Sequence, residues 1–469
     1  MIYFLMPVVF VIAIICVAME DKIKVNKAAT AILSAILLWA MLLMGADSVL
    51  GEGLSPAFND FVNNIPGFAA LPETEQYVRF LTDFALIDHL GDVATTLFFV
   101  MGSMVIVELV DSHGGFRIIT NHIHTHNKRR LLWIVCLLTF FLSSLLDNLA
   151  TAIVMIAILR KFIPHITERW IFASMIVISA NAGGSWSPIG DVTTILLWTK
   201  GNLTPLHQIT SLFVPAFVCM LVPLLVASRF FKKGESWNEK MIIHTENSTI
   251  PQIEDRSRYV ILAIGVLSLA MVPVFNELTG LPPFMGVLCG LAILWVYTDL
   301  MYSRIDTIGE RERMSISHSF SKIDMTTIMF FFGILMSVAA LDTAGQLQSA
   351  STFLDDHIHQ PAIIAFILGL TSSFLDNVAL VAGAIGMYPL TDLAGADVYG
   401  LNFVVNGGFW TFLAYCCVTG GSILIIGSAT GVAVMGLEKI KFMYYLKNFT
   451  LLALSGYVAG ALTYIFIFS

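Results

Sequence analysis

The residues of this chain best suited to chemistry are carboxylates embedded in apolar sequence. Asp147 lies near the end of Ser143-Ser144-Leu145-Leu146-Asp147-Asn148, and 229 residues later the stretch returns as Ser372-Ser373-Phe374-Leu375-Asp376-Asn377. A second pattern follows each copy at an offset of 237: Gly183-Gly184-Ser185 with Gly190-Asp191-Val192-Thr193-Thr194, then Gly420-Gly421-Ser422 with Gly427-Ser428-Ala429-Thr430. A third pair precedes them at an offset of 231, Thr95-Thr96, Gly102 and Asp111 against Thr326-Thr327, Gly333 and Asp342. Three matched blocks in one order make an internal duplication.

An ionised aspartate in the middle of a membrane costs at least about 2.5–3.5 kcal/mol, so its presence asks for a function. The plain alternative is that each carboxylate caps a half-helix by accepting backbone N–H bonds. The repetition of an Asp-Asn pair, with Ser four residues before each Asp, favours function. The donors on offer are carboxylate, amide, hydroxyl and freed carbonyl oxygens, a hard set suited to a small hard cation, with no thiolate or imidazole among them. The expected ligand set is Ser143, Asp147, Asn148, Asn181, Asp191, Thr193 and Thr194 from one half, with Ser372, Asp376, Asn377, Ser422, Ser428 and Thr430 from the other. Asp191 has Ser428 as its counterpart, so the two half-sites differ chemically, and Asp191 is expected to be the less critical acid. Burial and like-charge neighbours raise a carboxylate's pKa. A group that holds either a proton or a sodium ion is what an exchanger needs.

These residues sit in a chain of 469 residues that is 57% hydrophobic and 12% charged, with mean hydropathy +0.82. Too little polar surface is available to cover a soluble globule of that size, which predicts an all-α polytopic membrane protein. The six cysteines fall in apolar segments and form neither a disulfide framework nor a zinc pattern. The first apolar run lacks a basic leader and a cleavage site and reads as a retained span. Spans are expected at 2–18, 28–45, 92–110, 206–228, 259–276, 282–300, 325–341 and 449–468. The SSxLDN copies divide 131–159 and 361–387 into arms too short to cross, which predicts re-entrant hairpins with SSxLDN at the tips. Gly-rich breaks, Asn181 to Asp191 and Gly420 to Thr430, interrupt 170–198 and 404–437, which predicts broken transmembrane helices. The glycine pairs either permit close helix approach or line the site.

Each half, 1–230 and 259–469, therefore holds three spans, a hairpin, a broken span and a final span, with a cytoplasmic linker at 231–258. Five crossings per half make the repeats inverted. With both termini external, 23 of the 25 Lys and Arg fall on the cytoplasmic side, leaving Arg79 and Lys200 outside. The external segment 46–91 carries an expected interfacial helix from Glu73 to His89. His122, His124 and His126 form a polar loop or a proton-sensing or metal-binding tract.

The motifs SSLLDN with GGSWSPIGDVTT and SSFLDN with GGSILIIGSATG resemble those of the NhaD-type sodium/proton antiporters, within the ion transporter superfamily, over nearly the whole chain. That resemblance implies export of sodium or lithium in exchange for protons, a bacterial inner membrane and no cofactor. It also implies ion-binding roles for the motif positions above. More distant relatives, the divalent anion/sodium symporters, imply an elevator motion and a homodimer whose first and last spans in each half form the scaffold. Those symporters carry Ser-Asn-Thr tips. Asp at this chain's tips would repel a dicarboxylate. The competing readings are an arsenite exporter or a sodium-coupled organic-anion symporter. An intramembrane aspartyl protease is opposed by the lack of a Tyr-Asp pair and of a Gly-x-Gly-Asp context at Asp191. The expected partners are ions, protons and lipid, with no nucleic acid. The inverted topology predicts that, in a background without native cysteines, Lys240→Cys is labelled only from the cytoplasm and Thr352→Cys only from outside by a membrane-impermeant maleimide; labelling of both from one side would contradict it.

Overall fold

In hydrocarbon every backbone N–H and C=O must be satisfied within the protein, so apolar sequence of this kind folds as helix. The computed structural model describes residues 2–65, 67–116, 118, 125, 127–163, 165–231, 255–302, 316–394 and 396–468. Among them there is no β-strand. The first half runs through α1 (Ile2–Ala18), α2 (Lys27–Met44), α3 (Leu86–Ser112), α4 (Lys128–Ser143), α5 (Asn148–Phe162), α6 (Ile166–Ser185), α7 (Val192–Thr199) and α8 (Pro205–Ala227). The second half repeats the order: α9 (Asp255–Ala270), α10 (Pro283–Tyr302), α11 (Met325–Thr343), α12 (Pro361–Thr371), α13 (Asn377–Met387), α14 (Gly408–Gly420), α15 (Ala429–Glu438) and α16 (Thr450–Phe468). Shorter helical segments lie between them. The SSxLDN motifs fall in the gaps between α4 and α5 and between α12 and α13, and the Gly-rich breaks separate α6 from α7 and α14 from α15.

Among the described residues six helices are long and apolar enough to cross a membrane, or seven if the bent pair beginning in α9 and ending in Val272–Thr279 counts as one span. The chain is an all-α, multi-span membrane protein. The stretch expected as an interfacial helix is helical and continues into the third span, giving one helix of 40 residues, Glu73–Ser112. A π-helical turn at Phe80–Ala85 takes up the change of register. Gly91 stays helical. The histidines at 122, 124 and 126 and most of the linker, 232–254, lie outside the described residues.

The chain divides into two compact units, and each draws on both halves. One comprises residues 1–97, 324–364 and 378–404, and the other 98–323, 365–377 and 405–469. In the first, α11 lies along α2. A Cβ on Gly333 would stand 2.5 Å from the Ala31 backbone. In the second, the C-terminal part of α3 meets α10, where a Cβ on Gly102 would stand 2.8 Å from Val287. Gly102 and Gly333 are the same repeat position, so the third span of each half lays its glycine against the second span of the other.

The core of the second unit is α6, buried without interruption from Phe172 to Ser185 and packed against α4, α5, α8, α14 and α15. Its repeat partner α14 is buried from Phe409 to Gly420. A Cβ on Gly183 would lie 2.2 Å from the Phe140 carbonyl oxygen, and one on Gly420 would lie 2.0 Å from that of Gly369. Phe140 and Gly369 are themselves repeat partners. Close helix approach therefore accounts for these two glycines.

Candidate ion-binding site

The site is assembled where the SSxLDN tips meet the breaks, all within the second unit. The same bond ties tip to broken span in both halves: Ser143 Oγ donates to the Ala180 carbonyl at 2.6 Å and Ser372 Oγ to the Cys417 carbonyl at 2.7 Å. The first glycine after each break is equally constrained. A Cβ on Gly190 would meet the Ser143 carbonyl at 2.6 Å, and one on Gly427 would meet the Ser373 carbonyl at 2.6 Å. The Asn148 backbone N–H closes the first junction by donating to the Gly190 carbonyl at 3.1 Å.

Asp191 is the centre of the network. It caps α7, accepting from the Thr193 N–H at 2.7 Å, and only 3% of it is exposed. Asn148 Nδ2 of the first tip donates to Asp191 Oδ2, and Asn377 Nδ2 of the second tip reaches Oδ1 and Oδ2 at 3.3 and 3.4 Å. Asn148 Nδ2 also donates to Asn181 Oδ1 at 3.1 Å. Asn181 Nδ2 in turn donates to Ser422 Oγ at 2.9 Å and Ser428 Oγ at 3.1 Å. One carboxylate, three amides and two hydroxyls thus join both halves in a single buried chain.

The other expected residues divide by what they bind. Asp147 caps α5, accepting from the Leu149 N–H at 3.1 Å, and both Asp147 and Asp376 lie within electrostatic range of Asp191. Thr194 Oγ1 turns back to the Asp191 carbonyl at 2.8 Å. Thr193 Oγ1 faces the Asp191 side chain but, like Thr430 Oγ1 at the same repeat position, is buried without a hydrogen bond of ordinary geometry. Among the described residues no three His, Cys, Asp or Glu side chains converge as metal ligands. A cation held here would therefore depend on Asn, Ser, Thr and backbone oxygens beside the carboxylates.

Two residues that hold the site were not legible in the sequence. Gln208 of α8 donates through Nε2 to the Ser185 and Ser187 carbonyls at 3.1 and 3.0 Å, fixing the backbone the break leaves free. Tyr445, 237 residues later, donates its hydroxyl to the Ser422 carbonyl at 2.6 Å. Ser185 and Ser422 are repeat partners. The same device is built from different side chains, so matching residue types cannot reveal it.

Residues 9–405 match the model of a transporter family described as CitMHS, citrate transporter. The chain belongs to this family. It is a membrane transporter and not an enzyme. Over 98% of its length it is 36% identical to Sodium/proton antiporter 1 of Arabidopsis thaliana, covering 72% of that protein. Over 80% it is 39% identical to Sodium/proton antiporter 2 of the same plant, covering 86% of it. It is 27% identical over 96% of its length to the Na(+)/H(+) antiporter NhaD of Vibrio cholerae, covering 89% of that chain. The resemblance to NhaD-type antiporters seen in the motifs thus extends along the chain.

Gln208→Leu strands two buried carbonyls and Tyr445→Phe one, at about 1–3 kcal/mol for each. Thermal unfolding in detergent is expected to show both variants destabilised, Gln208→Leu the more; unchanged midpoints would show that the break is held some other way.

Proposed function

We propose that this chain is a sodium/proton antiporter, which exchanges sodium or lithium for protons by alternating access, the two competing for Asp191 and the tip acids Asp147 and Asp376. The observation that carries this reading is the buried Asp191 carboxylate, shared by the tip amides of both halves. An amide can satisfy a carboxylate by donating its N–H, or turn over and offer its oxygen to a cation. Asn148 and Asn377 donate to Asp191. When sodium binds, they turn to present Oδ1, and Thr193 and Thr430 supply hydroxyl oxygens. When a proton binds instead, Asp191 loses its charge and its hold on the metal ion.

The family description raises a second reading, citrate transport. Helix N-termini meet at the site, and such termini favour anions. The chain occupies them from within: Asp147 caps α5, Asp191 caps α7 and Ser428 caps α15. Its own carboxylates stand where a carboxylate substrate would be held. An added citrate would meet three acids and no compensating Lys or Arg among the residues expected at the site.

In this reading the repeats are inverted, with both termini outside and the Arg160 and Arg169 end of the first hairpin in the cytoplasm. The tips and broken spans then move as one carrier in a homodimer, by an elevator motion, in a bacterial cell membrane. In proteoliposomes a sodium gradient is expected to drive proton flux while a citrate gradient does not. Asp147→Asn, Asp191→Asn and Asp376→Asn should each lower exchange at least about tenfold, the scale of one lost charge-assisted bond. The effect should be greatest at Asp191, reversing the order expected from Ser428. Wild-type exchange in folded Asp191→Asn, or flux driven by citrate, would overturn the reading.

A further inference from the structure

Three helices that reach the site at one end are tied together at the other by an ion cluster around a buried glutamate. Glu438 is the last residue of α15, and its side chain is fully buried. Arg160 Nε meets its Oε1 at 2.7 Å and Arg169 Nε meets its Oε2 at 2.8 Å. The backbone is held as well: Trp170 Nε1 donates to the Glu438 carbonyl at 2.9 Å, and an Arg160 guanidinium N–H donates to the Leu437 carbonyl. Arg160 closes α5, which opens at Asn148. Arg169 lies in the first turn of α6, which carries Asn181. Glu438 closes α15, which opens just after Ser428. The three helices pack on one another along their lengths. At about 1.5 Å of rise per residue, the cluster lies roughly 15–18 Å from the amide network along all three.

We infer that Glu438 is a positioning residue for ion binding, fixing the axial register of α15 against α5 and α6 so that Ser428 and Thr430 stand opposite Asn181. Burying one carboxylate between two guanidiniums is a poor way to gain stability, since apolar side chains do as well or better. It is a good way to fix register, because a bidentate carboxylate accepts its two partners in one geometry. Arg160 and Arg169 come from the first half and Glu438 from the second. The contacts from Asn181 to Ser422 and Ser428 cross between the same halves. A slip of α15 by a fraction of a turn would break those contacts while leaving the apolar packing nearly unchanged.

The inference rests on the antiport reading, and wild-type protein assayed in parallel separates the two. Absence of sodium-driven proton flux in the wild type would remove the antiport reading itself. With wild-type flux present, Glu438→Gln in proteoliposomes is expected to raise the sodium concentration for half-saturation roughly tenfold, with a maximal rate per folded protein within about twofold of wild type, the signature of lost ground-state binding. Arg160→Gln removes the more exposed arginine, keeps the Arg169 pair and should give a smaller rise; it decides the matter if Glu438→Gln fails to fold. A purely structural role would lower the folded fraction and leave half-saturation where it was. Unchanged half-saturation in the folded variants overturns the inference, whatever the rate does.

Discussion

A carboxylate in the interior of a membrane protein must be given hydrogen bonds by the chain, and the satisfaction of Asp191 is the constraint on which the rest of this structure depends. Its donors come from the Asn of both SSxLDN motifs and from the N-terminus of α7. Each donor is in place only because something else is. The tip amides need the tips, the tips need Ser143 and Ser372 bonded to the broken spans, and the broken spans need glycines at 183, 190, 420 and 427 to let backbones touch. Gln208 and Tyr445 hold the carbonyls that the breaks release. The two halves of the sequence share this scaffold and differ at its centre, where one supplies an acid and the other Ser428.

This chain matches both a family described by citrate transport and relatives named for sodium/proton antiport. Helix N-termini at a membrane break make an anion site by default. Under the antiport reading, Asp side chains placed at those termini turn the default around, because the chain's own anions then call for a cation or a proton.

Much of this was legible in the residues. The SSxLDN copies split two apolar regions into arms too short to cross and the Gly-rich breaks interrupt two longer ones, and the structure ends a helix at all four places. Asn148, Asn181, Asp191, Asn377, Ser422 and Ser428 were grouped by their place in duplicated blocks, and the structure brings them into one network. Asp191, unmatched across the repeat, was expected to be the less critical acid, and the structure makes it the acceptor for the Asn148 and Asn377 amides of both halves. Gln208 and Tyr445 were invisible because the repeat conserves their task and not their type. Glu438 was not singled out in the sequence, and only the fold shows two arginines from the other half bonded to it. The helix expected from Glu73 to His89 is present, but its continuity with α3 was not foreseen, because the polar residues from Glu73 to Asp92 suggested a separate segment.

The central claim is that proton and sodium compete for the carboxylates gathered around Asp191. The most direct test is the sodium concentration for half-saturation, measured in proteoliposomes across a pH series with the three acids intact. Each unit of falling pH below the point at which the site takes up its proton should raise half-saturation, toward a limit of about tenfold for each proton displaced, or about 1.4 kcal/mol of linkage. A half-saturation that stays flat while only the maximal rate falls, with a histidine replacement abolishing the fall, would place the proton elsewhere and contradict the account.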